Sequence, residues 1–187
     1  MTYSFNLYNS MAADGAYAAL KKILIKTSAP PVVLCIGSDL SVGDSLGPLV
    51  GTMLKNRLKA LNVYVYGTLS KPITAHEVRY INSFLAQTHP NSTVIAVDAA
   101  VGNSSDVGLI KISKNALKPG SGAQKNLNKV GDASIMGIVA EKSLFNYALF
   151  SATRLNMVFK MAQIISDGIS DYFTDYLSAA GSGSSVV

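Results

Sequence analysis

Residues 32–50, Val-Val-Leu-Cys-Ile-Gly-Ser-Asp-Leu-Ser-Val-Gly-Asp-Ser-Leu-Gly-Pro-Leu-Val, read as strand, loop and helix. Val32 to Ile36 is an unbroken apolar run, and a strand without polar alternation is one buried on both faces, as in a parallel sheet covered by helices. Gly37 starts a loop at the strand's carboxyl end. From Leu46 the apolar residues recur at helical spacing (Leu46, Leu49, Val50, Met53, Leu54, Leu58), with Pro48 tolerated in the first turn. Asp44 therefore stands just ahead of a helix, at the sheet edge where open α/β folds bind ligands. Two readings stay open for it: an N-cap that accepts hydrogen bonds from first-turn amides, or a catalytic carboxylate. The loop is no phosphate cradle, because Lys-Ser/Thr does not follow its last glycine, its glycines lack the dinucleotide spacing, and its charged side chains are anionic.

Working outward, Asn9 to Lys26 has the pattern of a lead-in helix with Asn9 or Ser10 as cap, closed by Pro30-Pro31. After the helix of Leu46 to Leu61, Val63 to Tyr66 alternates as a short strand. Thr74-Ala75-His76-Glu77 then matches a capping box ahead of the stripe Val78, Ile81, Phe84 and Leu85. Thr93 to Val97 is a second apolar strand, ending in Asp98. Alternating strands and helices imply parallel pairing with right-handed crossovers, which brings the strands' carboxyl ends to one edge. Asp44 and Asp98 should then face one crevice, close enough for one water to bridge them. Taken alone, Asp98 also reads as a turn former.

Val107 to Ile112 alternates as a strand, and Ile135 to Val139 is a last apolar one. Between them, Lys118-Pro119-Gly120-Ser121-Gly122 and the polar run to Asn128 read as a flexible loop, a candidate lid. Leu144 to Leu177 is expected to be helical in two pieces around Ser151, with Leu155, Val158, Met161, Ile165, Ile169 and Tyr172 as its buried stripe. Residues 1–178 make a single domain on this reading, and 179–187 a disordered tail.

With 187 residues, 49% of them hydrophobic, the chain can bury a full core. The single cysteine, Cys35, lies inside the first apolar strand and reads as a packed small hydrophobe, which fits a reducing, cytoplasmic compartment. No spanning helix or secretory signal is expected. The net charge of +5 comes from scattered lysines without interleaved aromatics, so neither nucleic acid nor membrane is expected as a partner.

Three separated pieces carry a family resemblance. Cys35-Ile36-Gly37 through Gly43-Asp44-Ser45-Leu46-Gly47-Pro48, then Val97-Asp98-Ala99-Ala100, then Lys118 to Gly122 occur in the order seen in the spore germination proteases. With Val130-Gly131-Asp132-Ala133-Ser134-Ile135 and Thr153-Arg154-Leu155, the chain resembles more closely the smaller YyaC family of sporulation proteins. Both are similar in fold to the hydrogenase-maturation proteases. The resemblance implies a three-layer α/β/α protein of the phosphorylase/hydrolase-like type with a mostly parallel sheet, and an endopeptidase in the cytoplasm of a spore or forespore. It implies Asp44 and Asp98 as the catalytic pair. Gly43, Ser45, Pro119, Gly120, Ser121 and Gly122 are expected to bind substrate, with Gly43-loop amides on the developing oxyanion and the Pro119 to Gly122 loop clasping an extended peptide. Ser45 is a poor replacement for the glutamate with which the hydrogenase-maturation relatives bind metal, so no metal or other cofactor is expected. The partner is then a protein or peptide substrate, and a homo-oligomer stays open. Two other functions remain: an inactive sporulation scaffold that binds peptide, and a metal-dependent hydrolase using Asp44, Asp98 and His76.

Overall fold

The computed structural model describes residues 1–24, 29–74, 76–119, 129–142 and 152–181. Its strands are β1 (Thr2–Asn6), β2 (Val32–Cys35), β3 (Tyr64–Tyr66), β4 (Val94–Gly102), β5 (Leu109–Ser113) and β6 (Ala133–Glu141). Among the described residues the helices of eight residues or more are α1 (Ala12–Ile23), α2 (Leu46–Arg57), α3 (Val78–Thr88) and α4 (Leu155–Gly181). The strands form one sheet in the order β1-β5-β6-β4-β2-β3. The pairs β3–β2, β2–β4 and β4–β6 are parallel, and β5 and β1 add antiparallel strands beyond β6.

The apolar run that opened the sequence is the sheet's interior: Val32, Val33, Leu34 and Cys35 are all 0% exposed. Alternate side chains go to alternate faces. Val33 and Cys35 pack with Ile95, Val97 and Ile135 against α1, α2 and α4, while Val32, Leu34 and Ala96 pack against Val78 and Leu85 of α3. Three helices on one face and α3 on the other make the expected three-layer α/β/α architecture. Burial of the Cys35 thiol in this interior pushes its pKa far up, so it is a packed hydrophobe and not a nucleophile.

Several expectations are corrected by pairing that the local pattern does not reveal. β4 does not end at Val97. It runs on through Asp98 to Gly102, because β6 pairs with it along nearly its whole length, with a one-residue register shift after Ala100. The amino-terminal residues, given no element by the sequence reading, form the edge strand β1, from Thr2 opposite Ser113 to Asn6 opposite Leu109. Asn9 does not cap α1. Its side-chain oxygen accepts from the Met11 amide, and α1 starts at Ala12 with no side-chain cap. α2 stops at Arg57 rather than Leu61. α4 continues past Leu177 through Ala179 and Ala180 to Gly181, so the first residues assigned to the tail are helical. Residues 143–151, where the break around Ser151 was expected, and 182–187 lie outside the described residues.

A candidate active site at the carboxyl edge of the sheet

β2 is short and β4 is long, and the site lies on the step between them. Cys35 is the last residue of β2 and pairs with Val97; the next amide, that of Ile36, donates to the Val97 carbonyl at 2.8 Å. Asp98 is therefore the first β4 residue beyond its neighbour's end. It lies inside a strand, not in a turn, which sets aside the turn-former reading. It is 6% exposed, and its Oδ1 accepts from the Ala99 amide at 2.8 Å. Alternation along β4 puts its side chain on the α3 face, with Ala96 and opposite to Val97 and Ala99.

The loop that leaves β2 is held tightly against the strand's end. Gly37 has φ +142°, and a Cβ there would lie 2.1 Å from the Asp44 carbonyl oxygen. The Ser38 amide donates to that carbonyl at 3.1 Å, closing the loop on itself. Gly47 brings the start of α2 against β2: a Cβ there would sit 2.0 Å from the Ile36 carbonyl oxygen. Glycine is the residue that permits such backbone approaches.

Asp44 sits in the single 3-10 turn Gly43–Ser45 that leads into α2. Neither that turn nor α2 has a side-chain cap hydrogen bond, so the capping role of Asp44 is not realised. Its carboxyl is partly buried, and the loss of solvent raises its pKa against a smaller opposing effect of the Ser38 backbone amide. Asp44 and Asp98 thus occupy the same carboxyl edge, Asp44 from the segment entering α2 and Asp98 from β4, whose face is covered by α3.

The other expected residues are distributed as follows. Gly43 is buried, and Ser45 is 6% exposed with its hydroxyl donating to the Val42 carbonyl at 2.7 Å. Pro119 is buried rather than lying on a free lid. The base of its loop is fixed where Leu117 and Val130 exchange two backbone hydrogen bonds of 2.9 Å over the α3 face. Gly120, Ser121 and Gly122 lie outside the described residues. His76 is exposed in the turn before α3. Among the described residues no three histidine, cysteine, aspartate or glutamate side chains gather into a group that could hold a metal ion, so Asp44, Asp98 and His76 do not form such a trio.

Sequence reasoning passed over three features of this edge. Ser38 is buried, and its hydroxyl accepts from the Leu40 amide at 3.2 Å. Ser41 has a buried hydroxyl oxygen with no partner among the described residues. Residues 68–74 run alongside the site, with Ile73 bridged to Ile36 and accepting from the Gly37 amide at 2.9 Å. The two serines were visible as polar residues in a glycine-rich loop. The Ile36–Ile73 bridge carries no local signal.

A mostly parallel α/β sheet with helices on both faces and carboxylates on its carboxyl edge defines a protein of the hydrogenase-maturation-protease-like fold. The chain is similar to the crystal structure of a [NiFe] hydrogenase maturation protease, HycI, from Thermococcus kodakarensis KOD1, with a TM-score of 0.57 over 83% of this chain and 98% of that one. Identity is 17%, so the likeness is one of fold. The chain belongs to the family described as protein of unknown function DUF1256, whose model matches residues 4–168. It is 42% identical over 163 residues to the uncharacterized protein YyaC of Bacillus subtilis strain 168, covering 87% of this chain and 79% of that protein. No described helix is long and apolar enough to cross a membrane.

Proposed function

We propose that the protein is a sporulation-associated endopeptidase that cleaves a protein substrate with the Asp44 and Asp98 pair, in the cytoplasm of a spore or forespore. The observation that carries this reading is Asp44: a partly buried carboxyl on the ligand-binding edge of the sheet, with a raised pKa and no capping duty. A carboxyl that resists ionisation is suited to hold a proton and polarise the scissile carbonyl. Asp98 takes the complementary role of accepting a proton from the attacking water. The Ala99 amide hydrogen bond on its Oδ1 suits an anionic acceptor. Two carboxylates acting on one water titrate as a unit, so a bell-shaped pH profile belongs to the pair and not to either residue.

The test uses spore-extract proteins as substrate for the wild type, Asp44→Asn and Asp98→Asn side by side. Loss of proton transfer typically removes about two to four orders of magnitude in rate, so each variant should leave uncut the bands that the wild type removes. Bands cut equally by wild type and both variants would end the aspartate mechanism. A wild type that cuts nothing would favour the non-catalytic scaffold.

A further inference from the structure

Ser38 ties the base of the loop that carries Asp44 to its tip. Its amide donates to the Asp44 carbonyl at 3.1 Å, so the chain leaving β2 is fixed directly to the residue that enters α2. Its hydroxyl accepts from the Leu40 amide at 3.2 Å and so holds the tip. Side-chain packing does little there: Asp39 is exposed and Leu40 is 93% exposed. The chain is gripped again only at Val42, which packs on the larger core and whose carbonyl accepts the Ser45 hydroxyl at 2.7 Å. A serine hydroxyl that bonds the amide two residues on fixes the turn between them.

Ser38 is itself 9% exposed, so its side chain is poorly placed to touch a substrate. What its hydroxyl adds over the methyl group of an alanine is the turn. That turn bears on the chemistry, because the Ser38 amide also acts on the Asp44 carboxyl, opposing the larger effect of burial. A carboxyl that must pass a proton in one direction depends on its orientation, and a misplacement of about 1 Å can cost roughly a hundredfold in rate.

We infer that Ser38 is a positioning residue of the aspartate site: its hydroxyl fixes the turn of residues 38–40, and through that turn the direction in which Asp44 presents its carboxyl at the sheet edge. Ser38 acts through Asp44 and takes no part in the proton transfer itself. The peptidase reading above supplies what the carboxyl then does; its placement is a separate matter and can be measured separately.

The test reads Asp44 directly. Full-length Asp98→Asn, labelled with carbon-13 at its aspartate carboxyls, is titrated by NMR, and the Asp44 signal is assigned by its loss on adding Asp44→Asn. Replacing Asp98 leaves one carboxyl of the pair to follow. Among the described residues of the loop and of the segment beside it, the other charged or titratable side chains are Asp39, Lys71, His76 and Glu77, all exposed, so solvent and salt screen them. Adding Ser38→Ala should move the Asp44 midpoint upward, because the carboxyl loses the amide's influence while it stays buried. Adding Ser38→Thr, which keeps the hydroxyl, should leave the midpoint in place. With Asp98 restored, Ser38→Ala should cut spore-extract proteins about ten- to a hundredfold more slowly than the wild type, and Ser38→Thr should recover most of that loss. An unmoved Asp44 midpoint in Ser38→Ala, even beside a lowered urea midpoint, would make Ser38 merely structural and overturn the inference. Equal shifts in Ser38→Ala and Ser38→Thr would overturn it too, since the hydroxyl would not be the cause. A wild type that cuts nothing removes the peptidase reading, and the titration still decides whether Ser38 positions Asp44.

Discussion

Asp44 is held where ionisation is unfavourable, and that has a sign which can be measured. Burial raises its folded-state pKa above the ordinary aspartate value of about 3.9, so from there upward the folded chain holds more proton than the unfolded one. Stability from this group is therefore full below that pH and is lost as pH rises through the folded value. Asp44→Asn removes the penalty. Its urea midpoint should match or exceed that of the wild type at pH 7, with the gap closing by pH 3; a variant markedly weaker at pH 7 would show instead that the ionised Asp44 carboxylate stabilises the fold, since asparagine caps a helix about as well as aspartate. Gly37 makes the opposite point. With φ +142° and the Asp44 carbonyl in the place of a Cβ, Gly37→Ala should cost about 1–3 kcal/mol in urea denaturation and should move Asp44 as well. Cys35 should fail to react with a disulfide reagent in the native protein and react fully once unfolded, because its thiol is inaccessible and its pKa is pushed far up. At this scale the sequence marked Gly37 and Asp44 as loop residues at the end of β2 and Cys35 as a packed hydrophobe, and the structure places them so. It could not say which of two roles Asp44 has, because both need the same residue ahead of the same helix.

The start of α3 shows how far an element can be read locally. Thr74 and Glu77 do interact as the motif suggests: the Glu77 carboxylate accepts from the Thr74 amide at 2.9 Å and from the Thr74 hydroxyl. The Thr74 hydroxyl, however, accepts from the His76 amide, and the helix begins at Val78, after an extra turn. The Thr74 hydroxyl's hydrogen bond holds the Glu77 carboxyl below its ordinary pKa, so its small contribution is present at neutral pH and is lost as pH falls through that lowered value. Packing outweighs such caps. Leu54 of α2 is fully buried in the larger core cluster, and Leu54→Ala should cost about 2–5 kcal/mol by denaturant unfolding, several times the effect of losing the cap. β4 is the element that the local pattern cut short. Asp98 followed by small residues looks like a stop, yet the strand continues because β6 supplies a partner for its backbone out to Gly102.

Across the whole molecule the least expected contribution is that of the chain's first residues. Tyr3 and Phe5 of β1 pack on the larger core, and Phe5 lies against Gly15, where a Cβ would come within 2.4 Å of its ring. β1 also covers the outer edge of β5. Removing residues 1–6 should lower the melting temperature by several degrees and promote self-association through the bared β5 edge, seen as an earlier peak in size-exclusion chromatography. The alternation of Tyr3 and Phe5 was present in the sequence but too short to stand out. By itself the sequence determined the α/β class, the two-face burial of β2, the parallel crossovers and the family, because apolar run length, helical spacing and glycine placement act through neighbours along the chain. Only the tertiary structure decided that β4 overhangs β2, that Asp98 is the first residue beyond the step, and that Asp44 caps nothing. Those outcomes depend on hydrogen bonds and desolvation between segments tens of residues apart, and no local pattern encodes how far one strand will outlast its neighbour.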